Sequence, residues 1–437
     1  MRIFILWLLY AVASGSVYSQ EVARSGNASC AGRMDLRRIT ICVLEASPEY
    51  RTEQLKLKEI SGRKLVASYL FPSNPVASAY LAHRKGTTSE GGPLGTGPAP
   101  IATNYQTLVT QEIYVGGKRE KAQQVADEEY KVQAGRLEAV RRNMLSRTIS
   151  ATLRYSGFKR EFEGTKQLYE VAKDLRDLSA ARANEGVAPA MDVDVARAEE
   201  LRLWKLLKQA ERKMDSAKGE LLILLNLNPD ASLELEVTGI TLKELPNDVA
   251  SLVKIALSNR PEIGVSENEI ILAARRLEQT KLQRIPNLTI GGFIQSDGFN
   301  EKVAGAQVSL PLTLWRTYEG EIRSAASVKE QAQENARIQE RSVRMEIVNA
   351  VSSYLALRTE IEQYDASYLR DLDKDLDLLK EALRTGRIKV VDALNSQRIL
   401  TGAKLNFILS RTEYALAQVE LVRSIGLSFE DNIQEIK

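Results

Sequence analysis

Asn287-Leu-Thr-Ile-Gly-Gly-Phe-Ile-Gln-Ser296 and Lys302-Val-Ala-Gly-Ala-Gln-Val-Ser-Leu-Pro-Leu312 are two runs in which apolar and polar positions alternate. In the first, Leu288, Ile290 and Ile294 alternate with Thr289, Gly291 and Gln295. In the second, Ala304, Ala306, Val308, Leu310 and Leu312 alternate with Gly305, Gln307 and Ser309. A period of two marks a strand with one apolar face. Each run is about ten residues long, the length of a β-strand that crosses a bilayer. Immediately downstream, between Glu321 and Thr385, there is neither Gly nor Pro, and Glu, Gln, Ala, Arg, Leu and Ser dominate. That composition predicts an unbroken helix, a rod on the order of 100 Å long. Such a rod needs partner helices along its whole length. Ordinary soluble hairpins are the competing reading of the alternation alone.

The same order of signals occurs twice. Ser47-Pro48-Glu49 recurs as Arg260-Pro261-Glu262, and Tyr155 recurs as Tyr354. Glu185-Gly186-Val187 with Asp192 recurs as Thr385-Gly386-Arg387 with Asp392, a shift of 200, and Leu227 recurs as Leu427. Repetition at this scale is architectural. Each half reads as a helix (49–70; 262–284), a Pro-containing break, two strands, a long helix, a turn, and a returning helix (190–226; 390–425). The first strand pair, near 74–83 and 104–115, alternates poorly. The first long helix, 118–185, is interrupted only by Gly135, Gly157 and Gly164. The returning helix carries a heptad: Leu203, Leu207, Ala210, Met214, Ala217, Leu221 and Leu224, then Ala403, Phe407, Ser410, Tyr414, Ala417 and Leu421 in the second copy. That stripe seals one helix against another and reports packing rather than a ligand site. The repeats span 36–228 and 242–428, with a linker at 229–241 and a tail at 429–437.

Composition narrows the functional classes. The chain has 437 residues; Lys plus Arg is 60 and Asp plus Glu is 57, a balance of +3, too even for a nucleic-acid binder. Two Cys and one His exclude a Cys/His zinc site and most His-based catalysis, so neither an enzyme, a cofactor nor a bound metal is expected. Arg2 followed by the apolar run Ile3–Ala13 and small residues reads as a secretory signal over 1–19, cleaved after Ser19 or after Ala13. No later stretch is long and apolar enough for a transmembrane helix. In an oxidising compartment Cys30 and Cys42 could bridge across the eleven residues between them. Lipid attachment at Cys30 is the alternative, and Cys42, among Ile39, Ile41, Val43 and Leu44, reads preferentially as a small apolar residue. The Gly/Pro cluster at 86–100 is an exposed loop, with His83 at its edge.

Four strands cannot close a barrel, and in lipid every strand edge must be paired. If the strands span a membrane, sister copies must supply the missing neighbours. With that architecture in hand, the chain resembles the TolC family of outer-membrane efflux ducts. The residues that carry the resemblance are Gln111–Arg119 with Gly116, Gly117 and Lys118 at the first strand-to-helix junction, and Leu310-Pro311-Leu312 at the second. Ala256–Glu262 opens the second repeat, and the tips are Gly186…Asp192-Val193 and Gly386–Leu394. The resemblance implies a mainly α fold with a small β part: antiparallel coiled-coil hairpins continuous with a transmembrane β-barrel completed by trimerisation. It implies a homotrimer in outer-membrane lipid, a periplasmic tunnel, a periplasmic adaptor protein and a proton-driven inner-membrane pump. Gly320-Glu-Ile-Arg323 is most similar to the heavy-metal efflux branch, making metal cations candidate cargo; multidrug export and protein secretion are the other assignments. An exported coiled-coil scaffold is the reading from another class.

Site residues follow from the same resemblance. Asp392 matches an acidic ring at the tunnel constriction; Asn395 stands where a second acid ring is found, and Asp192 reads as a tip-packing carboxylate near a helix N-terminus. Gly186 and Gly386 are tip turns that need positive φ. Arg182, Asn184, Glu185 and Val187, with Arg384, Thr385, Arg387 and Ile388, are the adaptor-contact candidates. Ile388 replaces a basic residue of the family pattern, beside Arg387. Trp315-Arg316-Thr317 is expected where the first repeat has Gly116-Gly117-Lys118, with Trp315 either anchoring at the membrane interface or packed at the junction.

Overall fold

The computed structural model describes residues 30, 32–84, 102–235, 237, 239–243, 248–296, 302–364 and 367–436. The expected signal segment and the Gly/Pro-rich loop lie outside them. The first repeat runs β1 (Gly32–Met34), α1 (Leu36–Ala46), α2 (Pro48–Ser68), β2 (Val76–Arg84), β3 (Ala102–Ile113), α3 (Lys118–Asn184) and α4 (Ala190–Leu224). Two short strands follow, β4 (Leu233–Leu235) and β5 (Gly239–Leu242). The second repeat is α5 (Val249–Asn259), α6 (Pro261–Lys281), β6 (Leu288–Ser296), β7 (Lys302–Ser309), α7 (Glu319–Ile361), α8 (Tyr368–Arg384) and α9 (Val390–Ile425). It is followed by α10 (Phe429–Asn432) and β8 (Ile433–Ile436). The segments read as linker and tail therefore carry strands: β1 pairs with β4 in parallel, and β5 with β8 antiparallel.

Local chemistry explains the helix starts. Pro48 and Pro261 open α2 and α6, where the missing N–H costs nothing. Ser47 caps the first by accepting from the Tyr50 amide at 3.2 Å. Helix α3 holds 67 residues without a break, a rod of about 100 Å. Its glycines mark close approach rather than weakness. A methyl on Gly135 would sit 2.7 Å from Val265 Cγ2 of α6, and one on Gly157 would overlap Thr412 of α9.

The second rod differs from expectation. Instead of one helix across 321–385, α7 ends at Ile361 and α8 restarts at Tyr368. Neither Gly nor Pro marks the step. Tyr364 packs edge-on to Phe407 with ring centroids 4.9 Å apart, Tyr368 joins the cluster, and the Ser367 side chain bonds the Asp371 carboxyl. Aromatic packing onto α9 and a new polar start offset the helical hydrogen bonds given up, and local propensity does not report either gain.

The four membrane-length strands form one antiparallel sheet in the order β2-β3-β6-β7. Its register sorts the side chains. On one face lie Ala77, Ala79 and Leu81, then Tyr105, Val109 and Ile113, then Leu288, Ile290 and Ile294, then Ala304, Ala306 and Val308. On the other lie Gln106, Thr110, Glu112, Thr289, Gln295, Gln307 and Ser309, together with Val76, Tyr80, Leu108, Val303 and Phe293, the last over Gly305. Along β3 and β6 the apolar-face positions are mostly exposed and the polar-face positions half-buried. That is the inverse of a water-soluble sheet, where the apolar face is the sheltered one. Among the described residues β2 and β7 each pair on one side only, so both edges are open.

The largest apolar cluster lies where the repeats meet. Ile39 and Val43 of α1 pack with Met144, Leu145 and Ile149 of α3, Leu221 and Leu224 of α4, Val419 and Val422 of α9, and Phe429 and Ile433 near the C-terminus. Cys30 and Cys42 lie in this cluster, 0% and 4% exposed, and are joined as a disulfide. Cys42 is thus buried among apolar residues as expected, but bridged, and the Cys30 sulfur is already bonded. In the heptad, Leu203, Ala210, Ala217, Leu221 and Leu224 are buried. Its second copy faces α7, where Tyr414 stacks on Tyr354 and the Ser410 hydroxyl donates to Glu360.

Candidate functional site

The strand-to-helix junctions are built differently in the two repeats. Gly116 and Gly117 have φ of +73° and +77°, and Gly117 immediately precedes α3. Lys118 Nζ donates to Asn287 Oδ1 at 2.8 Å, and Asn287 Nδ2 donates to Glu112 Oε1 at 2.7 Å. Burial holds the Lys118 ammonium below the usual lysine range, against the pull of Glu112. In the second repeat the positive-φ residue preceding α7 is Tyr318, at +58°. Tyr318 is therefore the counterpart of Gly117, and Trp315 stands opposite Tyr114, two residues earlier than the sequence alignment put it. Trp315 is 91% exposed within the protomer, so it is not a packed junction aromatic there. Strand β7 ends at Ser309, short of the expected Leu312, because Pro311 has no N–H for the ladder.

At the opposite end the two tip turns share one construction. Gly186 and Gly386 both have φ of +74°. The Gly186 amide donates to Ala183 O at 3.0 Å and Val187 to Arg182 O at 3.0 Å. In the second copy Gly386 donates to Leu383 O at 3.1 Å and Arg387 to Ala382 O at 2.9 Å. A left-handed residue closes each helix in this way, and a side chain there would be strained.

Asp392 and Asn395 are exposed on one face of α9, one turn apart, while Val390, Ala393 and Leu394 are buried on the other. Asp192 is half-buried in the first turn of α4. Asn184, Glu185, Val187, Arg384, Thr385 and Arg387 are exposed around the turns. Two candidates turn inward. Arg182 Nη1 donates to Leu383 O across the hairpins at 2.9 Å, and Ile388 packs against the cluster of Leu175, Ala196, Leu383, Val390 and Leu394.

Residues that the sequence did not single out tie the two hairpins together above the tip. Glu199 of α4 is buried and accepts from Arg202 at 2.5 Å and from Arg398 of α9 at 2.9 Å. Burial pushes its carboxyl upward, but these two guanidinium bonds outweigh it and hold the group below its ordinary value. Lys404, also buried, donates to Asp373 at 2.5 Å and Gln167 at 3.0 Å, and Lys380 pairs with Asp174. The repeat shift places two of the ties at matching heights, Glu199 and Arg398 being 199 apart and Arg182 and Leu383 201 apart, but not those of Lys404 to Gln167 or Lys380 to Asp174. Among the described residues no His/Cys/Asp/Glu group gathers to hold a metal ion, and no helix is long and apolar enough to cross a membrane.

A family model described as outer membrane efflux protein matches residues 82–227 and 252–427. The toxin and drug export protein A of Aggregatibacter actinomycetemcomitans is 21% identical over 229 residues, 50% of this chain and 49% of that protein. The chain spans about half the length of the relatives it matches in sequence. Among solved structures, the outer-membrane channel OprN superposes with a TM-score of 0.73 at 15% identity, covering 90% of each chain. The CmeC outer membrane channel of Campylobacter jejuni gives 0.72 at 17% identity, covering 90% of this chain and 85% of that one. At these identities the likeness is one of fold.

Proposed function

Because the chain belongs to the outer membrane efflux protein family, we propose that it is the outer-membrane duct of a multi-component efflux system, conducting solutes passively from the periplasm to the exterior. The family consists of channels rather than enzymes, and no covalent step is needed. One observation carries the reading: an antiparallel sheet with its apolar face outward and both edges unpaired, running directly into a 67-residue helix. Unpaired backbone groups at a lipid-facing edge cost several kcal/mol each, by order of magnitude. Three copies of this four-stranded sheet give a closed twelve-stranded barrel, and the helices continue it as a tunnel.

In such a trimer the exposed Asp392 and Asn395 face of α9 lines the narrow end. Three Asp392 carboxylates around one axis attract cations and repel anions. Cationic solutes, metal ions among them, are therefore the favoured cargo. The name of the Aggregatibacter relative supports a second reading, in which drugs or toxins are the cargo. A periplasmic adaptor engages the exposed tip residues, and the inner-membrane pump delivers the cargo. Adaptor binding to the splayed tip shifts the closed-to-open equilibrium by its differential affinity. Trp315 and the outer face of the barrel meet lipid.

The test is purification from the outer membrane in detergent, followed by conductance recording in planar bilayers. A trimer with stepwise, cation-preferring conductance is expected. A stable, freely soluble monomer without conductance would remove the proposal.

A further inference from the structure

We propose that the Cys30–Cys42 disulfide is a redox-controlled staple, which fastens the belt where the two repeats meet and makes assembly of the chain depend on oxidation. The bond ties the segment ahead of β1 to α1 across a sequence separation of 12. Both sulfurs lie in the cluster that gathers α1, α3, α4, α9, α10 and β8, so the staple acts on both repeats at once. Strand β1 has only three residues and pairs in parallel with β4, a connection too short to hold by itself. Its first link is the Gly32 amide to Ser232 O at 3.1 Å, two residues after Cys30. The bridge adds a covalent tie beside β1, whose Met34 packs in the same cluster as Leu233 and Val237.

In the forming step the two thiols lose two protons and two electrons to a disulfide carried by an oxidising protein partner. That partner leaves as a dithiol, and one S–S bond is exchanged for another. Closing a loop of this length shifts the folding equilibrium by roughly 100-fold. The same bond occupies the Cys30 sulfur, so that sulfur carries no lipid.

Two measurements on the wild-type chain test this independently of conduction. The intact mass of the purified mature protein is expected to carry no acyl group, and thiol alkylation is expected only after denaturation with reductant. Growth with reductant is expected to cut the yield of trimer several-fold and accumulate reduced monomer. A Cys30→Ala/Cys42→Ala chain is expected to assemble poorly with or without reductant. Free thiols in the assembled trimer, an acylated Cys30, or equal trimer yield from oxidised and alkylated wild-type chains would overturn the staple. None of these outcomes bears on whether the trimer conducts.

Discussion

Val109 decides whether the outward apolar face meets lipid. It sits on the middle rung of the β3–β6 ladder, opposite Gly292, with Ala77 beside it on β2. The ladder runs nine rungs from Tyr105 to Ile113, about 30 Å along the strand at 3.4 Å per residue, which a barrel tilt of about 40° turns into roughly 23 Å of depth, close to the apolar band of roughly 25 Å expected of an outer-membrane barrel. An arginine at mid-depth on the lipid face costs about 2–4 kcal/mol. Three copies in a trimer bring Val109→Arg to roughly 6–12 kcal/mol, enough to abolish insertion. Gln106→Arg is the control. It lies three positions earlier on the same strand, on the half-buried polar face opposite Gln295, where the guanidinium stays in water. The assay is the amount of trimer in the outer-membrane fraction, followed by single-channel recording of whatever inserts. Val109→Arg should leave less than a tenth of the wild-type trimer. Gln106→Arg should insert within about twofold of wild type, on the lumen-substitution rule, and lower cation preference. Equal insertion of the two variants, or a soluble and folded Val109→Arg chain, would refute the assignment of faces and with it the barrel.

Asp392→Ala should bring the cation-to-anion permeability ratio towards one, and Asn395→Asp should raise it; both are read from reversal potentials in a salt gradient. Arg182→Ala removes the charged donor to Leu383 O and should loosen the tip by roughly 1–2 kcal/mol, seen as a rise of about 5–30-fold in the open-to-closed ratio. Glu199 gives the tie a pH dependence. Its folded-state value is depressed by Arg202 and Arg398 against the effect of burial, so its contribution is present above the usual carboxylate range and lost as pH falls through the lowered value. Conductance should therefore rise on acidification below that range, and Glu199→Gln should flatten the response. Gly157→Val would force side-chain bulk into Thr412 of α9 and should cost about 1–3 kcal/mol, measured as a lower midpoint for thermal loss of helical signal.

Much of this fold is legible because the chain states it twice. Pro48 and Pro261 mark equivalent helix starts, and Gly186 and Gly386 end the long helical segments with the same φ. The second strand pair is legible from alternation alone. The first is not, because Thr107 and Gln111 share the outward face with Tyr105, Val109 and Ile113. Only pairing to β6 shows which face they occupy. The step between α7 and α8 is invisible for a related reason: Tyr364, Tyr368 and Phe407 are ordinary helix residues until the return of α9 brings Phe407 alongside. Contacts that depend on a returning element leave no mark in local composition.

The tip ties show what duplication supplies and what it leaves to divergence. A shift of 200 places residues of the two hairpins at the same height, which fixes the geometry for a bond between them. Whether a bond forms depends on chemistry that the copies no longer share. Glu199 aligns with Ile399 and Arg398 with Ala198, so neither copy alone contains the pair. Arg182 aligns with Ala382, and its acceptor is a main-chain carbonyl of the other hairpin, which no side-chain pattern encodes. The ties are consequently asymmetric: the first hairpin presents the buried carboxylate of Glu199, and the second presents Arg398 and Lys404. That asymmetry leaves Asp392, on the second hairpin, at a tip held by bonds to its neighbour as well as by its own turn. Under the proposed duct, opening at one end calls for breakable contacts there, between hairpins, and for dense apolar packing at the belt, where Val419, Val422 and Ile149 are fully enclosed.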